Sequence, residues 1–345
     1  MSGGRSTGEN LASRALVVVV LGTNDVASAV AHCLFTAGHA VVLAEGPAPT
    51  VTRRGMAFAD AVFDGEAELS GLRVRRVESV AETEALLASR AAIPVLVGWS
   101  PLDLAGSLRP DVLVDARMRK RARPETLRGL APLTIGLGPG FISGGQVDLA
   151  VETAWGEDLG RVITSGSTRP LEGEPREIAG HARDRYVYAP IAGLFETARQ
   201  IGELVEAGEP LARIGEAVLR APLGGAIRGL TRSGVPVNAG TKVIEIDPRG
   251  EAGQVYGIGE RPARIAEGVL AAIRDRVELK GRACNHKVLL GLMLIVSALR
   301  GFGSHARIGR RARPVAGHSS VACPCPVTGA GDRDPMVRDA QGCGE

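Results

Sequence analysis

Ala189-Pro190-Ile191-Ala192-Gly193 returns, 32 residues later, as Ala221-Pro222-Leu223-Gly224-Gly225. The same offset carries Gly202 onto Gly234, Val205 onto Val237 and Gly208 onto Gly240, and Leu211 and Ile214 onto Val243 and Ile246. A fixed period means one supersecondary unit used twice. Each unit reads as short strand, turn, Val-x-x-Gly turn and a short alternating strand ending in Ile. Two copies are too few for a solenoid, so they must bury their apolar faces against each other.

This pattern resembles the barrel-sandwich hybrid of biotinyl and lipoyl modules, in which Ala-Pro-x-x-Gly and Val-x-x-Gly recur in both halves. Such a module carries its cofactor on a lysine in the hairpin between the halves. Here that hairpin reads Gly215-Glu216-Ala217-Val218-Leu219-Arg220, without lysine, and Lys242 stands beside an apolar strand position. The expectation is a small all-β domain without covalent biotin or lipoate, acting by surface contact.

Toward the N-terminus, Ala15-Leu16-Val17-Val18-Val19-Val20-Leu21 is a β-branched run of the kind buried on both faces of a parallel sheet. Gly22-Thr23-Asn24-Asp25 turns the chain, and Val26, Val30, Cys33, Leu34 and Ala37 follow at helical spacing before Gly38 stops the helix. Ala40–Ala44 is the next strand, ending at Glu45. This β-α-β start predicts a Rossmann-like, doubly wound, mainly parallel α/β sheet. Gly22 and Ala27 fit a dinucleotide loop, but Asn24 takes the place of its second glycine and Asp25 brings negative charge where a phosphate sits. Two readings stay open: nucleotide binding by Gly22, Asn24, Asp25 and Glu45, or simple capping of the helix. Arg53 and Arg54 read either as an anion-holding pair or as a solvated one.

Asp111–Ala116 is another buried strand, ending in Asp115 with the basic Arg117, Arg119, Lys120 and Arg121 beyond. Ligands of open α/β sheets lie at the carboxyl ends of strands, which makes Asp115 and Lys120 candidates. Leu133-Thr134-Ile135-Gly136-Leu137-Gly138-Pro139-Gly140-Phe141 runs a strand into a tight loop. The amides around Gly136, Gly138 and Gly140 form either an anion nest or a plain turn.

Composition bounds the rest. Aromatics make up 3% of the 345 residues, which speaks against base-stacking surfaces. From Arg276 onward there are 11 Lys and Arg against 5 Asp and Glu, a local +6 that leaves the remainder at −3 and gives no nucleic-acid surface in the main body. No signal-peptide pattern opens the chain, and the apolar run Val288–Leu299 is too short to span a bilayer, so the expectation is a cytoplasmic protein with neither nucleic-acid nor membrane partners. Cys323-Pro324-Cys325 lacks the spacing of a zinc knuckle, so no metal site is expected. The expected organisation is a disordered 1–14, an α/β domain over 15–170, a linker over 171–187, the small sandwich over 188–248, a helix over 249–278 packing back on the α/β domain, and a disordered tail over 279–345.

With both halves read, residues 15 to about 275 resemble the YqeB-type family of selenium-dependent molybdenum hydroxylase system proteins. The resemblance is carried by Asp25–His32, Pro49-Thr50 with Arg53-Arg54, Arg109–Ala116, Ile135–Phe141, Val151-Glu152-Thr153 with Asp158–Val162, and the Ala-Pro-x-x-Gly repeat. It implies an accessory protein that matures xanthine dehydrogenase-like hydroxylases, binds a nucleotide or the molybdenum cofactor, and partners the client or other maturation proteins. The chain departs from the family at Gly22-Thr23-Asn24-Asp25, where Gly-Ala-Gly-Asp is usual. It departs again at Ala154-Trp155-Gly156-Glu157, where Asn-Arg-Gly-His is usual. An NAD(P)-dependent oxidoreductase and a non-catalytic interaction module remain as alternatives; no catalytic residue is assigned. Expressed in cells with active biotin and lipoate ligases, the protein is expected to show its unmodified mass; an added biotinyl or lipoyl mass refutes the surface-contact reading.

Overall fold

The computed structural model describes residues 15–119, 123–171, 175–250 and 255–276. The expectations for 1–14, for Lys120 and for the tail from 279 onward lie outside the described residues. The N-terminal half runs β1 (Val17–Leu21), α1 (Asp25–Thr36), β2 (Ala40–Glu45), α2 (Ala61–Asp64), β3 (Glu66–Leu69), β4 (Leu72–Val77), α3 (Val80–Ser89), β5 (Ile93–Val97), α4 (Pro101–Leu108), β6 (Val112–Asp115) and β7 (Leu133–Leu137). Short strands β8 (Ile142–Ser143), β9 (Leu149–Val151), β10 (Val162–Ile163) and β11 (Gly166–Ser167) follow. A helix over 260–276, α5, returns to this half.

Among the described residues these strands form a nine-stranded sheet of order β10-β9-β7-β6-β1-β2-β5-β4-β3, with a separate β8–β11 pair. From β9 to β4 the neighbours are parallel, whereas β10 on β9 and β3 on β4 are antiparallel. The β-branched run of β1 is central and buried on both faces. Val18 and Val20 pack with Val26, Val30 and Leu34 of α1 and Ile265, Val269 and Ile273 of α5, while Val19 and Leu21 pack with Leu86 of α3 and Leu104 of α4.

The C-terminal half contains β12 (Tyr186–Tyr188), β13 (Gly193–Glu196), β14 (Leu204–Val205), β15 (Pro210–Ile214), β16 (Ala217–Arg220), β17 (Gly225–Leu230), β18 (Val235–Val237) and β19 (Lys242–Asp247). They form two four-stranded antiparallel sheets, β12-β19-β17-β14 and β16-β15-β13-β18. The 32-residue offset carries β12, β13, β14 and β15 onto β16, β17, β18 and β19. Each sheet therefore takes its two central strands from one copy and its edge strands from the other. Phe195, Leu211, Ile214 and Leu219 meet Ile227, Leu230, Val243, Ile244 and Ile246 in one core. Neither copy closes a sheet alone.

This architecture corrects the expected fold class. A Rossmann-like, mainly parallel domain followed by a small barrel is not what the chain builds; it has one large mixed sheet and several antiparallel ones. The edge hairpins escape a reading by strand runs because a strand carries no mark of its partner's direction. At β3–β4 the reversal rests on Ser70 and Gly71, with φ of 50° and 78°. Residues 55–63 do not form one helix. Only a 3-10 turn, Arg54–Met56, and the single turn α2 form there, because the preceding backbone is drawn out to β17, Leu230 N–H donating to Thr52 O at 2.7 Å.

α5 is held against the sheet edge by backbone proximity. A Cβ on Gly268 would lie 2.1 Å from the carbonyl oxygen of Gly160 in the β9–β10 connection. Gly268→Ala is expected to lift α5 off this edge and to lower stability by about 1–3 kcal/mol, read by chemical denaturation; wild-type stability in the variant contradicts this packing.

Candidate functional site

The parallel pairings set the carboxyl ends of β2, β1, β6, β7 and β9 along one edge, so the Gly22 loop and the Gly136–Gly140 loop share it. Along that edge the Gly22 loop is already satisfied by the protein. Asn24 Oδ1 accepts from Val26 N–H and Ala27 N–H at 3.0 and 3.2 Å, the amides a pyrophosphate would use, and its Nδ2 donates to Ala116 O at 2.8 Å. Asn24 thus caps α1 and bridges β1 to β6. Glu45 Oε2 accepts from the amide and hydroxyl of Thr23, both at 2.8 Å. Asp115 is buried and held by Arg117 and Arg119, which also reach Glu125. Burial pushes the Arg117 guanidinium down, and its bonds to Asp115 and Glu125 reverse this, leaving it above its ordinary value.

The second loop is pinned from beneath. Phe141 packs so closely on Gly136 that a Cβ there would lie 2.3 Å from its ring. Gly138 and Gly140 have φ of 114° and 82°. Buried Thr168 donates its hydroxyl to Gly138 O at 2.7 Å and accepts from Phe141 N–H at 3.2 Å.

The strongest charge cluster of the site is centred on Glu245 in β19, a residue the sequence reading passed over. Its carboxylate is fully buried. It accepts from Arg53 Nε and Nη2, both at 3.0 Å, from Arg185 Nη1 at 2.5 Å and from Lys242 Nζ at 2.8 Å; Arg228 Nε lies 3.7 Å away. Arg53 Nη1 continues to Asp25 at the start of α1, 3.1 Å away. A single guanidinium thereby ties the first loop of the large sheet to the last strand of the sandwich. Lys242 and Arg185 also lie 4.3 and 4.5 Å from the ring centre of Tyr186. Asp247 is shared by Arg228 and Arg249. Arg54 takes a structural role, paired with Asp60 and donating to Leu230 O.

Burial pushes the Glu245 carboxyl up, but Arg53 and Lys242 more than reverse this and hold it well below the ordinary range. Burial lowers Arg53, and Glu245 and Asp25 overcome it to keep the guanidinium above its usual value. Arg228 and Arg261 are not so well compensated. Burial lowers both, and Arg53 lowers both further; Glu245 and Asp247 offset this for Arg228, and Asp25 and Glu152 for Arg261. Three buried side-chain atoms, Arg185 Nε, Arg228 Nε and Thr231 Oγ1, have no hydrogen-bond partner among the described residues. One signal was available for Glu245: the 32-residue offset maps it onto Arg213, which is exposed and pairs outward with Glu196. The repeat reverses charge there, as it does from half-buried Glu196 to the largely buried Arg228.

A folded-state pKa held down means that Glu245 contributes stability above the unfolded carboxylate range and loses it as pH falls through its own pKa. Glu245→Gln removes the buried counter-charge shared by Arg53, Arg185 and Lys242, leaving Arg53 only Asp25, and is expected to cost about 3–5 kcal/mol at pH 7. The gap to wild type should narrow as the solution is acidified below the ordinary carboxylate range, followed by denaturant titration; a gap independent of pH shows that charge is not its source.

Among the described residues no cluster of His, Cys, Asp or Glu is arranged to hold a metal ion, and no helix is long and apolar enough to cross a membrane. No protein-family model matches the chain. Solved structures similar to it include the ectoine utilization protein EutE (DoeB) of Ruegeria pomeroyi in its product-bound form, 23% identical over 24% of this chain and 27% of that one, with a TM-score of 0.18. A succinylglutamate desuccinylase/aspartoacylase from Rhodobacter sphaeroides is 29% identical over 21% and 23% of the two chains, with a TM-score of 0.17. A protein of that family from Shewanella amazonensis SB2B is 13% identical over 68% and 91%, with a TM-score of 0.20. By sequence the chain is 40% identical over 257 residues to the uncharacterized protein YqeB of Escherichia coli (strain K12). It is thus similar to a YqeB-type protein over 74% of its own length, and spans about half, 47%, of that curated relative.

Proposed function

We propose that this chain is an accessory protein for the maturation of selenium-dependent molybdenum hydroxylases, holding a phosphate-bearing ligand, either a nucleotide or the molybdenum cofactor, for a xanthine dehydrogenase-like client. The observation that carries this reading is the 40% identity to YqeB over 257 residues, read with the motifs shared with that family. The site adds physical support. Arginines and a lysine from both halves converge on one buried carboxylate at the ligand-accepting edge of the sheet, a positive environment suited to an anionic group.

The candidate ligand residues Gly22, Asn24, Asp25, Glu45, Asp115, Lys120, Gly136, Gly138 and Gly140 have different places in this proposal. The amides after Asn24 are engaged by its own side chain, so the Gly22 loop is a weak seat for a pyrophosphate. The same engagement weighs against the oxidoreductase alternative, and equilibrium dialysis against NAD, NADP, ATP and CTP separates the two. The Gly138 and Gly140 amides are the better candidates. The two sheets of the sandwich supply the client-facing surface, with Leu194, Leu204 and Val218 exposed.

Co-expression with a xanthine dehydrogenase-type subunit, followed by affinity purification and metal and selenium analysis of the eluate, tests the reading. The expected result is co-elution of the subunit with molybdenum or selenium; elution of the chain alone, without either element, refutes it.

A further inference from the structure

Gly215-Glu216 forms the two-residue turn between β15 and β16, with Gly215 at a φ of 55°. In such a hairpin the pair flanking the turn, Ile214 and Ala217, exchanges hydrogen bonds, and the next pair, Arg213 and Val218, does not. The N–H and C=O of Val218 therefore point away from β15. β16 is the outermost strand of its sheet, and among the described residues no segment beyond that sheet bonds to the Val218 backbone. The alternation of the strand buries Leu219 in the core and exposes Val218 and Arg220 on the opposite face, with exposed Glu216 at the turn.

An open edge accepts another strand, and the other described edges are blunted. β18 carries Pro236, which has no N–H to give. β8, β10, β11 and β14 are two residues long, and β12 is irregular between Val187 and Tyr188. The turn at Ser70-Gly71 likewise leaves Glu68 of β3 facing outward, so pairing β3 with a second β3 would set that glutamate opposite itself.

β16 also lies at the far edge of its sheet. Arg232, just ahead of β18, pairs with Asp60 and Asp64, which turns the β18 edge toward the N-terminal half. Arg220 Nη1 donates to Gly208 O at 2.9 Å, inside the sandwich, and neither Arg220 nor Glu216 has an ion-pair partner among the described residues. Antiparallel pairing of β16 with the β16 of a second copy, centred on Val218, sets Val218 opposite its counterpart and Ala217 opposite Leu219. It also brings Glu216 opposite Arg220, once at each end of the pair. Centring the pair on Arg220 instead would set two arginines against each other. One symmetric register thus satisfies the free backbone groups, the exposed valine and both unpaired charges. Ile191 adds an exposed apolar side chain beside the turn, its Cδ1 lying 3.9 Å from where a Cβ on Gly215 would stand.

We propose that β16 is a homodimerisation edge, through which two copies of this chain pair antiparallel about Val218 and join two four-stranded sheets into one. The interface is isologous, each copy giving Glu216 to the other's Arg220. A single strand pair buries less than a standard interface, so the association is weak and depends on concentration. This goes beyond the maturation role and does not rest on it. Val218 is assigned to the second copy, and Leu194 and Leu204 stay with the client-facing surface.

Sedimentation velocity of the full chain over a concentration series tests the proposal. The wild type is expected to pass from monomer to dimer as its concentration rises. Glu216→Arg and Arg220→Glu each set like charges opposite at both ends of the pair and are expected to weaken the dimer at least about tenfold. Mixed in equal amounts, the two variants carry opposite charges at both ends again and are expected to form a heterodimer of wild-type strength; this recovery excludes misfolding as the cause of the separate losses. Val218→Pro removes the outward N–H without touching a bond to β15, and is expected to give a monomer that unfolds at the wild-type temperature. A wild type that stays monomeric throughout overturns the proposal, as does a dimer indifferent to both charge variants, or a mixture that fails to recover. A monomeric wild type whose capture of a hydroxylase subunit is lost in Val218→Pro also overturns it and assigns the edge to the client.

Discussion

The buried carboxylate of Glu245 is the constraint on which much of this structure depends. It sits in the centre of the sheet that closes the sandwich and is the shared acceptor for Arg53, Arg185 and Lys242. A lone carboxylate in that position would be neutralised or expelled; a lone Arg53 would be equally costly. Together they are stable only when both halves are in register. Breaking one partner therefore removes more than one contact, because it leaves the other charges without compensation. The pairing of Arg232 with Asp60 and Asp64, and of Arg54 with Asp60, extends the same logic to α2.

The sandwich gains its cohesion in a different way. Because each sheet draws strands from both copies of the repeat, neither copy is a separable unit. Every inward position, such as Phe195 against Ile214 or Ile227 against Ile246, is fixed by cross-strand register as well as by burial. A slip of one residue would turn these side chains outward. The interleaving also explains why the two copies diverged where they did. β15 lies in the outer sheet and exposes Arg213, whereas its counterpart β19 faces the large sheet and buries Glu245.

At the carboxyl edge, the chain has filled with its own side chains the place where a related loop would leave amides open. Asn24 is the residue responsible: one side chain caps α1 and bridges to Ala116. Near this edge Arg53 bridges Asp25 and Glu245, and Arg261 donates to Thr153 O.

Local pattern was enough to reveal the repeat, the buried β1 and the helix that follows it, because periodicity and side-chain branching act on neighbouring residues. The capping alternative at Asn24 was likewise legible, since an Asx cap is a local hydrogen bond. The edge hairpins, the mixed character of the large sheet and the interleaved strand order were not, because pairing direction is decided between segments distant in sequence. The same holds for the charge cluster: Arg53 and Glu245 are separated by 192 residues, and Arg261 comes from a helix beyond both. Arg53 alone reads equally well as a solvated charge. Only the tertiary structure, by withdrawing water from Glu245 and bringing the cations to it, made these residues the centre of the protein.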